Sequence, residues 1–165
     1  MLKGLFKKSA QVSEVVVFSP AVGEALALEK VDDQVFSGLM MGPGAAVIPS
    51  VGEFFAPFDG EVMMIFPTKH AIGLKADMDL EVLVHIGLDT VELQGDGFTS
   101  YIKEGQKVKK GQKLMDVDLT LLKAKGYKSQ TPIIITNSDE FEIEVLNTEG
   151  EVTLDSPLLK ITKKA

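Results

Sequence analysis

The sequence predicts an all-β protein, an antiparallel β-sandwich or barrel-sandwich hybrid with many short strands and little helix. Two observations lead to this prediction. Apolar segments rich in Val, Ile, Phe and Met are about as long as ordinary strands, and Gly, Pro or Asp residues separate them at short intervals. Many short strands divided by turn residues are typical of sandwiches and barrels.

The predicted strands run from residue 14 almost to the carboxyl end of the chain. All of them except Glu24–Leu28 contain β-branched or aromatic residues, and turn formers lie near the ends of most of them. The segments are Glu14–Ser19, Glu24–Leu28, Ala45–Ile48, Glu53–Ala56, Glu61–Phe66, Ala71–Leu74, Glu81–Ile86, Lys107–Val108, Lys113–Asp118, Pro132–Thr136, Phe141–Val145, Glu151–Leu154 and Leu158–Thr162.

Helix is predicted at only two places. The segment Leu119–Lys125 follows Asp118, which can cap its first turn, and precedes a glycine that can end it. A single helical turn within Val31–Ser37 would present Val35 and Phe36 at its surface. Neither segment is long enough to change the predicted fold class.

The domain organisation is predicted to be simple. Residues 1–12 are interpreted as a flexible amino-terminal tail, and residues 13–165 as a single β-sandwich domain, because no linker-like change of composition occurs within them. With 165 residues, 45% of them hydrophobic, the chain is long enough to bury a core without covalent cross-links.

Composition excludes several functions. The chain has no cysteine, which rules out disulfides and thiolate metal sites and is compatible with a reducing cytoplasm. Its 24 acidic and 17 basic residues give a net charge of −7, which would repel phosphate backbones, so we expect a basic protein partner and no nucleic acid. No apolar run approaches the roughly 20 residues that span a bilayer, so no stable membrane insertion is expected.

The two histidines are the candidate reactive side chains. His85 ends an alternating segment, in which period two places one set of apolar residues toward the core: Leu80, Val82, Val84 and Ile86. The opposite face then carries Leu83 and His85, and we expect Leu83 to be partly exposed. Similarly, Thr68 and His70 lie on the same side of their segment. A lone histidine is more often structural, but a ring that projects away from the core suggests a chemical role.

An exposed imidazole can be a nucleophile, a proton shuttle or a metal ligand. Two histidines are too few for a zinc site made by one chain, and a zinc peptidase would lack its third ligand. The sequence contains neither Gly-x-Ser-x-Gly nor a phosphate-binding Gly-x-x-x-x-Gly-Lys-Ser/Thr loop. Phosphoryl acceptance remains, because it needs one nucleophilic imidazole and neutral donors around the phosphoryl oxygens.

Two other classes remain as alternatives. The Ala56–Val62 turn and the spacing of Gly105 and Gly111 are also found in lipoyl and biotinyl carrier domains. Such carriers need an exposed lysine within Met-Lys-Met or Asp-Lys-Ala, and neither string occurs here, which disfavours this alternative. A purely regulatory binding module, which needs no chemistry of its own, is the second alternative.

The segment His-Ile-Gly-Leu-Asp-Thr-Val-Glu-Leu, from His85 to Leu93, followed by Gly-Asp-Gly-Phe at 95–98, resembles the histidine signature of the glucose-type enzyme IIA family. Members of this family are phosphoryl carriers, and thus phosphotransferase components, of the phosphoenolpyruvate-dependent sugar phosphotransferase system. The similarity extends from Ser19 through the Thr-Lys-His at 68–70 to Ile135. It implies a cytoplasmic protein with the predicted β-sandwich fold.

The resemblance also implies residue roles. His85 would accept the phosphoryl group on Nε2 from the phosphocarrier protein HPr and pass it to the enzyme IIB component of a sugar permease. His70 would donate a hydrogen bond to the phosphoryl group, and Thr68 would fix His70 and relay its proton. A carbonyl near Gly87 would hold the other nitrogen of His85. No cofactor is required, although zinc shared by His70, His85 and a partner's carboxylate is another expectation.

Partner binding is expected around the histidines. The resemblance assigns apolar residues to a docking surface that is used in turn by HPr, the IIB component and regulated transporters or metabolic enzymes. Any one of these apolar residues, considered alone, would more simply be interpreted as a core residue. The apolar positions are Val35, Phe36, Met40, Met41, Phe66, Leu83 and Val91. Asp33 and Asp89 match acidic positions at the edge of this surface, where basic residues of a partner would contact them.

Overall fold

The computed structural model describes residues 12–164. Over this range the chain forms fourteen strands and two short α-helices, with four 3-10 turns between them. The strands are β1 (Glu14–Phe18), β2 (Gly23–Leu26), β3 (Gly44–Pro49), β4 (Glu53–Phe55), β5 (Gly60–Ile65), β6 (Ala71–Lys75), β7 (Glu81–His85), β8 (Phe98–Ser100), β9 (Lys107–Val108), β10 (Lys113–Val117), β11 (Thr131–Ile135), β12 (Phe141–Val145), β13 (Glu151–Val152) and β14 (Pro157–Lys163). The helices are α1 (Gln34–Ser37) and α2 (Leu119–Ala124).

The strands form three sheets in which every pair is antiparallel. The large sheet has eight strands in the order β13-β2-β3-β11-β7-β6-β5-β9, and two three-stranded sheets have the orders β1-β14-β12 and β4-β10-β8. Side chains from all three sheets meet in one main core. The predicted all-β sandwich is therefore confirmed.

Strand β7 shows how the alternating sequence becomes two sheet faces. The residues predicted to face inward lie in the main core and are at most 1% exposed: Leu80, Val82, Val84 and Ile86. His85 projects from the opposite face, as the period of two predicts. The neighbouring strand β11 is buried along its whole length, so the middle of the large sheet is covered on both sides.

The opposite face carries a second apolar cluster, which corrects two predictions. Its members are Leu28, Val31, Phe36, Ala46, Ala71, Leu83, Leu88 and Ile134. Leu83 is only 8% exposed, so the prediction that it is partly exposed is wrong. Phe36 is 5% exposed and packs inward instead of being presented by its helical turn. The chain around α1 contributes Leu28, Val31 and Phe36 to this cluster, and strand periodicity alone could not predict that cover.

Both predicted helical segments are present. Asp118 caps α2 by accepting a hydrogen bond from the backbone N–H of Leu121 at 3.0 Å. Helix α1 is a single turn, and the Asp33 carboxylate accepts from the N–H of Val35 at 2.9 Å. In both cases a carboxylate satisfies a donor that the first turn of a helix leaves unpaired.

One strand was not predicted. Strand β8 is three residues long and has one buried side chain, Phe98, so no alternation is visible in it. It forms by pairing with β10, a partner that is remote in the sequence. The predicted tail, residues 1–12, falls outside the described residues except for Val12. No helix among residues 12–164 is long and apolar enough to cross a membrane.

Candidate active site

The two histidines lie side by side because β6 and β7 are antiparallel neighbours. His70 immediately precedes β6 and His85 ends β7, where it pairs with Ala71. The backbone N–H of Ile86 donates to the carbonyl of His70 at 2.7 Å. The centroids of the two imidazole rings are 4.9 Å apart and the rings are nearly perpendicular, at 82°. The sheet register thus brings together two rings from separate parts of the sequence.

A backbone carbonyl determines the tautomer of His85. Nδ1 of His85 lies 2.8 Å from the carbonyl oxygen of Gly87. A carbonyl can only accept a hydrogen bond, so Nδ1 carries the proton and, in the neutral ring, Nε2 keeps its lone pair. Gly87 has a φ of +80°, and a Cβ there would lie 2.6 Å from Cγ2 of Thr90 and 3.0 Å from the carbonyl oxygen of Lys128. Glycine is therefore required at this position.

His70 is held by a side chain and is more deeply buried. It is 3% exposed, and its Nδ1 lies 2.7 Å from Oγ1 of Thr68. A hydroxyl can donate or accept, so this contact is compatible with either neutral tautomer of His70. When the Thr68 hydroxyl donates, the proton of His70 is on Nε2, and that nitrogen becomes a hydrogen-bond donor.

The environment keeps both rings neutral near pH 7. Burial, together with the positive charge that His85 would carry, lowers the pKa of His70 from 6.5 to about 4. Burial also lowers the pKa of His85, although the hydrogen bond to the Gly87 carbonyl and the charges of Asp33 and Asp89 partly oppose this effect. An unprotonated His85 retains the lone pair that a nucleophile needs.

Two aromatic rings support the histidines. The ring centroid of Phe36 lies 4.8 Å from that of His85, at an interplanar angle of 56°. The ring of Phe66 meets that of His70 edge-on, at 5.4 Å and 77°. Phe36 thus packs behind His85 instead of lying on an exposed docking surface, while Phe66 is half-buried.

Four of the apolar residues assigned to partner docking are exposed. We call Val35, Met40, Met41 and Val91 the apolar rim; Met40 is the most exposed of them, at 74%. Asp89 is exposed and Asp33 is half-buried, and both are close enough to His85 to affect its pKa. Leu39, which was not among the residues assigned to docking, is also exposed next to Met40. Its place in the apolar run Leu-Met-Met was the available signal.

The site offers few ligands for a metal. Among residues 12–164 there is no group of three or more His, Cys, Asp or Glu side chains that could hold an ion. Each histidine uses Nδ1 in a hydrogen bond, which leaves its Nε2 available. The chain can therefore supply two imidazole ligands, and a tetrahedral zinc site would need the others from elsewhere.

Fold and site together define a β-sandwich protein with a pair of neutral imidazoles at the ends of two neighbouring strands. Residues 15–141 match the family model described as "phosphoenolpyruvate-dependent sugar phosphotransferase system, EIIA 1". The chain belongs to this family of phosphotransferase components, as the histidine signature predicted.

Similar proteins agree with this assignment. The chain is 50% identical over 155 residues to the "PTS system glucose-specific EIIA component" of Oceanobacillus iheyensis, covering 93% of each chain. It is 45% identical to part of the "PTS system glucose-specific EIICBA component" of Staphylococcus saprophyticus, covering 92% of this chain and 22% of that protein. The solved structure of glucose permease IIA from Mycoplasma capricolum superposes with a TM-score of 0.84 at 38% identity, covering 90% of this chain and 96% of that one.

Proposed function

We propose that this protein is a histidine phosphoryl carrier that accepts a phosphoryl group from phospho-HPr on Nε2 of His85 and passes it to an enzyme IIB component. The observation that supports the proposal most strongly is the hydrogen bond of 2.8 Å between Nδ1 of His85 and the Gly87 carbonyl. It keeps the proton on Nδ1, so the lone pair stays on Nε2, the nitrogen that remains free to attack.

The proposed transfer balances without a base or a metal. The lone pair of His85 Nε2 forms the new bond to phosphorus as the bond between phosphorus and the donor nitrogen of HPr breaks. The bonding electrons stay on that donor nitrogen, and the proton of His85 stays on Nδ1, where it remains hydrogen-bonded to the Gly87 carbonyl. In the second transfer a nucleophile of IIB forms the new bond to phosphorus, the bond to Nε2 of His85 breaks, and the bonding electrons return to Nε2 as its lone pair.

His70 is proposed to stabilise the phosphoryl group during both transfers. Its ring is adjacent to His85, at 4.9 Å between centroids, and its low pKa keeps it neutral. With Thr68 donating to Nδ1, the Nε2–H of His70 can donate to a phosphoryl oxygen. The donor is already oriented by Thr68, so it costs little reorganisation as the phosphoryl group arrives.

Charge and exposure support the proposed partners. The apolar rim provides a surface for HPr and IIB, and Asp33 and Asp89 provide acidic contacts for basic residues of a partner. Methionines in the rim can repack against more than one protein. Some relatives are named EIICBA components, which supports a sugar permease as the acceptor, and the names of several specify glucose. The relay would operate in the cytoplasm, where it meets its donor.

The proposal extends to regulation. Phosphorylation of His85 would add negative charge at the centre of the docking surface, so transporters or metabolic enzymes that contact this surface would distinguish the two states. No cofactor is needed for the relay. Zinc could join His70, His85 and a partner's carboxylate, because the chain itself supplies two ligands and leaves the others to the partner.

The proposal is tested by incubating the protein with phosphoenolpyruvate, enzyme I and HPr. We expect one phosphate per chain, labile in acid and stable in base. The His85→Ala variant should remain unlabelled, whereas the matched His70→Gln variant should still be labelled, because His70 is not the nucleophile. Label that survives His85→Ala would contradict the assignment of the nucleophile, and an unlabelled wild-type protein would contradict the function.

A further inference from the structure

A buried threonine lies behind the turn that orients His85. Thr90 is 0% exposed, and its Oγ1 donates to the carbonyl oxygen of Ile86 at 2.5 Å. It begins the 3-10 turn Thr90–Leu93 that follows the histidine segment. The hydroxyl therefore connects the start of this turn to the peptide that precedes Gly87.

The peptides on either side of Gly87 are both anchored. The carbonyl of Ile86 belongs to the peptide before Gly87 and is held by Thr90. The peptide after Gly87 has its N–H, on Leu88, bonded to the carbonyl of Lys128 at 3.0 Å, and its carbonyl is the one that Nδ1 of His85 contacts. Glycine is the most flexible residue of a chain, so an unanchored peptide could rotate about its φ and ψ.

Thr90 also occupies the space beside Gly87. Its Cγ2 methyl lies 2.6 Å from the position that a Cβ on Gly87 would occupy, so the methyl fills the space beside the glycine. The amide of Ile86 donates to the carbonyl of His70, so the same short segment is also tied to the second histidine. The methyl and the hydroxyl of Thr90 thus restrict the segment by packing and by hydrogen bonding, respectively.

We infer that Thr90 is a positioning residue for His85: its hydroxyl holds the Ile86 peptide so that the Gly87 carbonyl stays aligned with Nδ1 and the lone pair of His85 stays on Nε2. Thr90 itself does not touch the reacting atoms. Its effect on the tautomer depends only on the geometry of the turn, and its effect on phosphoryl transfer rests on the function proposed above.

The first test is the tautomer of His85, measured from the nitrogen-15 chemical shifts of both ring nitrogens across the neutral pH range. In the wild-type protein we expect Nδ1 to be protonated and Nε2 to be unprotonated. In Thr90→Val and Thr90→Ala, which lack the hydroxyl, the two shifts should move toward each other as the Nε2–H tautomer becomes populated. Thr90→Ser keeps the hydroxyl and should retain the wild-type shifts.

The second test is the rate of phosphoryl transfer from phospho-HPr. Loss of the Thr90 hydroxyl should lower kcat about tenfold, the lower end of the roughly 10- to 100-fold losses that follow removal of the hydrogen-bond partner of a metal-binding histidine. KM should change little, because the Thr90 side chain is 0% exposed and is not accessible to a partner. Thr90→Ser should restore kcat, which a general loss of stability would not predict.

Ser19→Ala is the matched control. Ser19 is 1% exposed, and its hydroxyl also donates to a nearby backbone carbonyl, that of Ala21, at 2.6 Å, but in the turn between β1 and β2. This variant should lose stability without any change in the ring shifts of His85 or in kcat. A change in the shifts equal to that of Thr90→Ala would show that they report stability and would overturn the inference.

The remaining outcomes are decisive as well. Wild-type shifts and a wild-type kcat in a folded Thr90→Val protein would overturn the inference. If that variant does not fold, Thr90→Ala and Thr90→Ser still separate the hydroxyl from the methyl, and equal shifts in those two would overturn it. A changed tautomer in Thr90→Ala, combined with a wild-type protein that accepts no phosphate, would retain the positioning role and reject the proposed function.

Discussion

The two histidines of this site are chemically identical but are held in different ways. His85 donates to a main-chain carbonyl, that of Gly87, which leaves one neutral tautomer. His70 contacts the hydroxyl of Thr68, which can donate or accept and therefore permits both. His70 is also buried, at 3% exposure, whereas His85 is half-buried.

The difference teaches how one residue type can serve two purposes in one site. A carbonyl can only accept a hydrogen bond, so it suits a nucleophilic histidine whose unprotonated nitrogen must always be the same one. A hydroxyl can donate or accept a hydrogen bond. It therefore suits a histidine that is proposed to donate a hydrogen bond to a phosphoryl group only while that group is bound. Burial keeps the second ring neutral, since a charged imidazole is costly away from water.

Replacing His70 should have the largest effect, because it should slow the release of the phosphoryl group to IIB much more than its acceptance from HPr. In His70→Gln we expect His85 still to be labelled, while transfer to IIB falls about 100-fold, because the phosphoryl oxygens lose a preorganised donor. Rapid-quench measurement of each half of the relay checks this. Unchanged transfer to IIB would show that the second ring is only structural.

Replacing Thr68 should have a smaller effect on the same step. Thr68→Val keeps the shape of the side chain but removes the partner of His70 Nδ1, and we expect transfer to IIB to fall about tenfold. Thr68→Ser should recover most of the rate. Thr99→Val, at an exposed threonine of β8, is the control and should transfer at the wild-type rate. Equal rates in the valine and serine variants at 68 would contradict a role for the hydroxyl.

The smallest effect concerns stability and pH. The pKa of His70 is about 4 in the folded protein against 6.5 in an unfolded chain, so acid protonates the unfolded chain first. The unfolding free energy that depends on a neutral His70 is therefore fully present above about pH 6.5 and is lost as the pH falls toward 4. When the pH is lowered from about 7 to about 5.5, protonation of His70 in the unfolded chain should lower the unfolding free energy of the wild-type protein by about 1 kcal/mol.

The His70→Gln variant provides the comparison for this pH effect, because glutamine does not titrate. Its unfolding free energy, measured in urea at both pH values, should fall less than that of the wild-type protein. Parallel losses of stability in the two proteins would show that His70 is not held neutral by its burial in the folded state.

Much of the fold was predictable from local patterns. The short alternating segments predicted nearly all the strands, and Asp118 marked the start of α2. Strand β8 was not predictable, because three residues after a turn carry no period and its pairing with β10 is long-range. Leu83 was placed on the correct face but given the wrong exposure, because the cover over that face comes from a distant segment.

The sequence by itself determined the strand pattern, the face from which His85 projects and, through its signature, the family of the protein. Those properties depend on residues close together in the chain. Only the tertiary structure decided that Phe36 and Leu83 are buried and that the buried Thr90 hydroxyl donates to the Ile86 carbonyl. Burial and hydrogen-bond direction depend on which backbone groups and distant segments meet in space, and a one-dimensional pattern does not specify that meeting.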